Sequence, residues 1–408
     1  MKRTLLILIL FSTSRLFAID RFVDPNLSAG NGTTLFTTIA SAVTASVNGD
    51  RILIVAGTYN EPTLTLSKSL TLLSQTAGSI INYNGNIVIA GFPGMKLEIL
   101  GFNLGVYSLS SNAITSGIAS NRAKVSIVAC RMTDLSVNQD YYELNCAQSR
   151  ITQTTTYRYG SFVVSRTNLL YLNDEPNQNL SGTKHLIAAD TIDTRVEIRN
   201  DDYPVTIANC QLLELNFWRW NHIITNTNYI RNNQFVSGTI KLIFGVNPPA
   251  YNIDFSSNEF LGTPNLSGPG GCSAGFYDNG ECGGCGCTPF STTSSFFPQA
   301  ATNGFFKWTY NGIDLPCAIP TGSQPLVLTK ITGPTGTNID AGNPNHEYYD
   351  IDLTVNDRGR TGGPYSMLNY NPSINPSNGK AFIFDLEMPA DLFTGQQVDI
   401  KAKGYHKN

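Results

Sequence analysis

The sequence predicts an all-β solenoid, a parallel β-helix whose coils stack along one axis, with a short helix before the coils and a smaller β-rich extension after them. Three observations carry this. Apolar residues return to the same place roughly every 18 to 28 residues, a period typical of stacked repeats. That column reads Leu72, Ile99, Ile127, Cys146, Val164, Ile187, Ile207, Ile230 and Phe255. A second column follows in fixed phase: Ala77, Leu104, Met132, Ile151, Leu169, Ile192, Leu212, Phe235 and Phe260. Finally, Leu97, Val125, Leu144, Phe162, Val205 and Ile253 alternate with the first column, giving the period of two expected of short strands with one inward face. Neither a consensus leucine pattern nor a helix-period face is present, so the rungs are β.

Between the columns stand Gln75, Phe102, Cys130, Ser149, Thr167, Asp190, Cys210, Asn233 and Asn258, mostly small or polar residues suited to turning the chain. Asparagine tolerates the left-handed conformation, and its amide can bond to a stacked copy of itself. Strands about 4.8 Å apart would make the ladder a rod roughly 40 Å long, in which each coil buries its apolar face only by stacking. His185 and Asn228 interrupt the flanking column and are expected to point outward or to lie at a bend.

The chain opens with Lys2 and Arg3, then the apolar run Leu5 to Phe11, then Leu16-Phe17-Ala18, the pattern of a cleaved secretory signal over residues 1–18. The apolar run is short for a membrane span and Arg15 follows it, so no transmembrane segment is expected after cleavage. Of 27 basic and 30 acidic residues, Lys2, Arg3 and Arg15 leave with the signal, giving a mature charge near −6. That balance argues against nucleic acid or an anionic membrane as partner. With 36 Gly, 20 Pro and 14% charged residues the chain is loop-rich, yet 41% hydrophobic content suffices for a long core over 408 residues.

The first coil is entered through Phe22-Val23-Asp24-Pro25, Gly30-Asn31-Gly32, Phe36-Thr37-Thr38-Ile39-Ala40-Ser41-Ala42-Val43, then Asn48-Gly49-Asp50-Arg51-Ile52-Leu53-Ile54-Val55-Ala56-Gly57-Thr58-Tyr59-Asn60-Glu61. This series resembles the opening of secreted bacterial right-handed parallel β-helix proteins of the pectin-lyase-like superfamily. Ile39, Ala42, Val43 and Val47 share one face of a short helix, which could cover the open end of the first coil and protect its edge. The resemblance implies a right-handed β-helix over residues 19–262 with an N-terminal cap. It specifies architecture more than reaction, although many relatives cut acidic polysaccharides.

Beyond Phe260 the period stops. Residues 263–300 are rich in Gly, Ser, Thr and Cys and read as a long loop or linker. Residues 301–408 read as a β-rich region, with Phe305 to Trp308, Pro325 to Leu328, and a terminal hairpin of Ala381 to Met388 with Gln397 to Ala402. The stretch from Asn338 through Asn356-Asp357-Arg358-Gly359 to Pro364 resembles the tail that follows the last coil in many bacterial β-helix proteins. On the ladder, Cys130 and Cys210 lie four rungs apart, about 19 Å, beyond the reach of a disulfide. They are expected as free, buried thiols; Cys146, one rung from Cys130 but in a different column, leaves a pair with it open beside the favoured free thiol. Cys272, Cys282, Cys285, Cys287 and Cys317 sit in a Gly-rich exported segment, where disulfides are the expected use and zinc the alternative.

Candidate chemistry is sparse. A polygalacturonase-type site needs Asn-Thr-Asp, Asp-Asp, Gly-His-Gly and Arg-x-Lys elements, of which only Asp201-Asp202 is present. A lyase needs carboxylates for Ca²⁺ beside a Lys or Arg base, and Arg195, Glu197, Arg199, Asp201 and Asp202 form the densest charged cluster on the ladder. A solvated strand edge explains that cluster too. Asp340, Asp350, Asp352, Asn356 and Asp357 offer hard oxygen ligands for Ca²⁺, or equally Asx-turns without metal. Trp218 and Trp220, in Phe217-Trp218-Arg219-Trp220-Asn221-His222, could stack on sugar rings or fold back over the coil. The expected function is therefore a surface or extracellular protein, with the periplasm as the alternative location, that binds a polysaccharide or another cell-surface component in an adhesin-like or structural role. The alternative is a polysaccharide lyase or glycoside hydrolase acting on an acidic polysaccharide.

Overall fold

The computed structural model describes residues 18–76, 79–114, 121–173, 185–199, 205–219, 227–244, 252–260, 265–267 and 305–309, with 340, 342, 344, 355, 359–360, 381–387 and 401–406. Its described part is all-β except for the short helix Ile39–Ala45 and a few turns, and its two large sheets are parallel throughout. Parallel neighbours cannot be joined by a tight hairpin, so the chain must travel round before each new strand, as in the coils of a parallel β-helix. The first sheet has thirteen strands and stacks Leu72, Ile99, Ile127, Cys146, Phe162, Ile187, Ile207, Ile230 and Phe255 in one register. From Leu72 to Ile230 none of these side chains is more than 1% exposed. Burying each contributes about 1.5–3 kcal/mol.

One coil departs from the expected phase. Phe162, not Val164, continues the first column; Thr167, not Leu169, continues the second; and Ser165, not Thr167, stands between them. Phe162 and Val164 both fit an inward slot by alternation, and the larger ring takes it. Thr167 is fully buried, but its hydroxyl accepts from Thr155 at 3.1 Å and donates to the Leu169 carbonyl at 3.1 Å, so the interior tolerates it. Ala77 lies outside the described residues.

The corner after each first-sheet strand is built from two adjacent columns. Ala129, Gln148, Val164, Ala189, Asn209, Asn232 and Ser257 all have φ between 49 and 58°, the left-handed region. The next residue points inward and bonds along the stack. The Ser149 Oγ accepts from the Cys130 amide at 3.1 Å, the Ser165 Oγ from Ser149 at 3.0 Å, the Asp190 carboxyl from Ser165 at 2.6 Å, and the Asn233 Oδ1 from Cys210 at 2.9 Å. Asn258 continues the ladder on Asn233 at 2.9 Å, and both asparagine amides donate to carbonyls one coil back, at Ile207 and Ile230. The inward column therefore carries the ladder, while the left-handed residue stands one position earlier than its asparagines suggested.

Early coils have two short strands on the far side of this corner, for example Arg131–Met132 and Leu135–Val137. At Arg166–Asn173 the two fuse, because that strand pairs with both Arg150–Ile151 and Thr154–Tyr157. The following strands Thr191–Arg199, Gln211–Arg219 and Gln234–Phe244 are long and continuous, with a register shift marking the old bend. The solenoid thus gains one broad face in its later coils.

The N-terminal helix is held at both ends by the first coil. Thr38 caps it, the Glu61 carboxylate accepts from the Ile39 and Ala40 amides at 2.7 and 2.8 Å, and the Lys68 ammonium donates to the carbonyls of Val43, Thr44 and Ser46. These charges meet the orphan amides and carbonyls that every helix end leaves. Ile39, Ala42 and Val43 are buried, and the helix packs against Asp20–Val23 and Leu35–Phe36. Nearby, the buried Asp50 takes the Arg21 Nε at 2.6 Å and the amides of Ile19 and Val47. The opening residues Arg21, Thr38, Asp50, Glu61 and Lys68 therefore have structural roles.

His185 and Asn228 are not outward: they are 1% and 0% exposed and occupy the inward flanking column between Gly160, Val205 and Ile253. Asn228 is accommodated because its amide oxygen accepts from the Val205 amide at 3.0 Å. His185 stacks on Tyr159 with ring centroids 6.0 Å apart. Cys130, Cys146 and Cys210 are free and buried; the other five cysteines lie outside the described residues. Phe305–Thr309 pairs in parallel with Asn252–Ser256, adding a strand to the first sheet after residues 263–300. Ala381–Glu387 and Lys401–His406 form an antiparallel pair, as the terminal pattern predicts, with the second strand shifted toward the C-terminus.

Candidate functional site

The broad face presents the densest functional chemistry. Val196 and Ile198 point inward at 0% and 1% exposure, so Arg195, Glu197 and Arg199 share the outer surface of their strand. Across the sheet one outer row runs Tyr171, Glu197, Asn216, Lys241, and the row beside it runs Leu169, Arg195, Glu214, Thr239. Fusion of the two earlier strands into one makes these rows continuous.

Glu197 is the centre of the cluster. Its carboxylate meets Arg195 Nε at 3.2 Å and Arg199 through Nε at 2.6 Å and Nη2 at 2.5 Å. Arg195 also reaches the Tyr171 hydroxyl at 3.4 Å, and that bond with the Glu197 charge raises the guanidinium's already high pKa. Arg199 lies over the Tyr171 ring at 5.6 Å. Glu197 is 2% exposed, whereas the side chains of Arg195 and Arg199 are 32% and 48% exposed. The carboxylate is thus committed to two guanidiniums and faces them, not solvent. What the group offers outward is N–H donors and an aromatic ring. Behind it the Asn216 amide oxygen, in a side chain 2% exposed, has no hydrogen-bond partner among the described residues.

Two separate sequence expectations converge here. Phe217 pairs with Ile198, so Trp218 holds the register position beside Arg199. Trp220, Asp201 and Asp202 lie outside the described residues. Tyr171, Glu214 and Asn216 were not singled out by sequence, although their alternation with the buried Leu170, Leu172, Leu215 and Phe217 marks them as outward. Of the carboxylates proposed for Ca²⁺, Asp340 lies in an exposed turn with φ 53°, and Asp350, Asp352, Asn356 and Asp357 fall outside the described residues. Among the described residues no cluster of three His, Cys, Asp or Glu side chains could hold a metal, and no helix is long and apolar enough to cross a membrane.

The interior groups are poor reagents. Burial, helped by the Arg122 charge, pushes His185 down to about 3, so it is neutral. Burial raises the Cys130 thiol to about 12 and raises those of Cys146 and Cys210 as well, which disfavours the thiolate needed for nucleophilic or metal chemistry. Comparison of the chain with protein-family models, with curated proteins and with solved structures finds no match.

Proposed function

We propose that this chain is an exported right-handed parallel β-helix protein of the pectin-lyase-like type, in which the helix Ile39–Ala45 caps the first coil, and that it binds a glycan at the cell surface or outside the cell. The observation that carries the reading is the Arg195–Glu197–Arg199 clasp beside Tyr171 on the broad face. Guanidinium donors around an aromatic ring suit hydroxyl-rich rings, which stack on one face and accept hydrogen bonds at the edge. Trp218, which follows the paired Phe217 on the neighbouring strand, is the aromatic residue to test beside the clasp. Because the cluster's carboxylate is committed to two arginines, it supports recognition better than acid–base catalysis.

A glycan array probed with the full chain, read both for retention and for release of sugar ends, tests this. Retention without product is expected. Release of unsaturated or reducing ends from an acidic polysaccharide would instead favour a lyase or hydrolase, with Asp201 and Asp202 as the first residues to examine.

A further inference from the structure

An apolar row on the outside of the first sheet is buried although it is not part of the solenoid interior. Leu100, Val128 and Ala147, 6%, 0% and 1% exposed, form a cluster separate from the main core, with Leu73, Ala129 and Val164 packed against it. The same register continues through Val163 to Ala188 and Ala208, which are 0% and 2% exposed. An outward alanine on a single sheet stays wet unless another layer lies over it. The left-handed corner beside this row shows where cover is tightest. Ala129, Gln148 and Val164 are half-buried, whereas Ala189, Asn209, Asn232 and Ser257 are 1%, 1%, 4% and 1% exposed.

Residues from far along the chain sit at that tighter stretch. The Gly359 amide donates to the Ser257 carbonyl at 2.9 Å. The Asn209 side-chain amide donates to the Arg360 carbonyl at 3.3 Å, and the Arg360 guanidinium donates to the Gln211 side-chain oxygen at 2.6 Å. Burial lowers the Arg360 pKa from its usual value, as expected of a guanidinium lodged against the stack. Gly359 has φ 78°, a conformation that glycine adopts without strain. Nearer the N-terminal coils, the strand Ala381–Glu387 lies against Tyr142–Ala147. The order of these contacts, Ser257 then Asn209 then Tyr142–Ala147, runs opposite to the growth of the stack.

We propose that the C-terminal part of the chain is an intramolecular strap, with Gly359–Arg360 seated on the left-handed corner and Ala381–Glu387 seated toward the apolar outer row of the first sheet. The row is thus a docking surface whose occupant is the chain's own C-terminal part. The strap joins coils that otherwise touch only their neighbours, so coils 142–147 through 252–257 and the C-terminal residues open together.

Two measurements on the full chain test this. A benzophenone amino acid placed at Gln211 should, on illumination, cross-link within one chain to the peptide holding Gly359 and Arg360. Cross-links between two copies, or none to the C-terminal part, would overturn the strap. Hydrogen exchange of Arg360→Ala should show the amides of 186–189 and 206–209 exchanging about tenfold faster or more, with those of 52–54 and 70–74 unchanged, because only the local opening is altered. Gly359→Val gives the same readout by straining the backbone instead of removing a side chain. Unchanged exchange at 186–189 and 206–209 in both variants would equally sink the proposal.

Discussion

The Asp190 carboxyl accepts the backbone N–H of Ser165 at 2.6 Å, in the ladder position that Asn233 and Asn258 fill two and three coils later. Those asparagines accept with their oxygen and donate with their nitrogen, and the ladder cysteines donate too, Cys210 to the carbonyls of Ile187 and Ala208. A carboxylate can only accept. The second oxygen of Asp190 is buried without a partner among the described residues, and burial pushes the group well above the usual carboxylate range. Burial thus favours the neutral acid, the form that best takes asparagine's place in the ladder.

A stability dependence on pH follows. The native pKa is raised above the unfolded value of 3.8, so the folded chain holds a proton that the unfolded chain releases. The contribution is complete below about pH 4 and is lost as pH rises toward the native pKa, at roughly 1.4 kcal/mol per pH unit. Asp190→Asn removes that slope. Urea midpoints of the two proteins should nearly coincide at the acid end and diverge in favour of the variant between pH 5 and 8. A difference that stays constant across that range would show Asp190 to be ionised.

Val164 is a β-branched residue at φ 52°. The left-handed region is costly for such side chains, and the same column holds Asn209 and Asn232, which tolerate it. Val164→Asn should stabilise the protein by about 1 kcal/mol, less whatever contact the valine makes with the Leu100, Val128 and Ala147 cluster. A lowered melting temperature would mean that this contact outweighs the strain.

The same coil shows what sequence could and could not reveal. Alternation located the inward columns because a wrongly placed Ile or Leu would expose a large apolar area. It misplaced one coil because Phe162 and Val164 are both apolar and two apart, so only stacking against Cys146 and Ile187 decides between them. Polarity alone puts His185 outward or at a bend, although an imidazole held neutral can stay inside. The left-handed corner left no residue signature, since Ala, Gln and Val occupy it alongside Asn and Ser. Of the broad face, the arginines and Trp218 were visible as dense charge and aromaticity. Tyr171 was not, because its link to Arg199 depends on the pairing of distant strands.

Two glycines separate steric from conformational effects. Gly160 has φ 120°, and a Cβ there would sit 1.8 Å from the Leu144 carbonyl oxygen of the previous coil. Gly105 has φ 59° with open space around it. Gly160→Ala must push backbone apart and should cost more than about 3 kcal/mol, as severe core clashes do. Gly105→Ala should cost only about 1 kcal/mol, for the left-handed backbone alone. Equal losses in denaturant unfolding would mean that the stack relaxes around Gly160.

The last expectation concerns the broad face and separates binding from catalysis. If the face holds a glycan, Tyr171→Ala and Trp218→Ala should each weaken retention by about 1–3 kcal/mol, the usual range for an aromatic anchor. Arg199→Ala should act in the same direction by removing both a donor and the cation above Tyr171. Glu197→Gln differs in kind. It frees Arg195 and Arg199 from their shared carboxylate, making the face more cationic, and should cost about 1–2 kcal/mol of stability, because the arginines are partly exposed and water can compensate them. Its retention on an acidic polysaccharide should rise at low salt and fall back as salt is added. Retention untouched by all four changes would place the binding surface elsewhere. Product release abolished by Glu197→Gln would make the carboxylate catalytic.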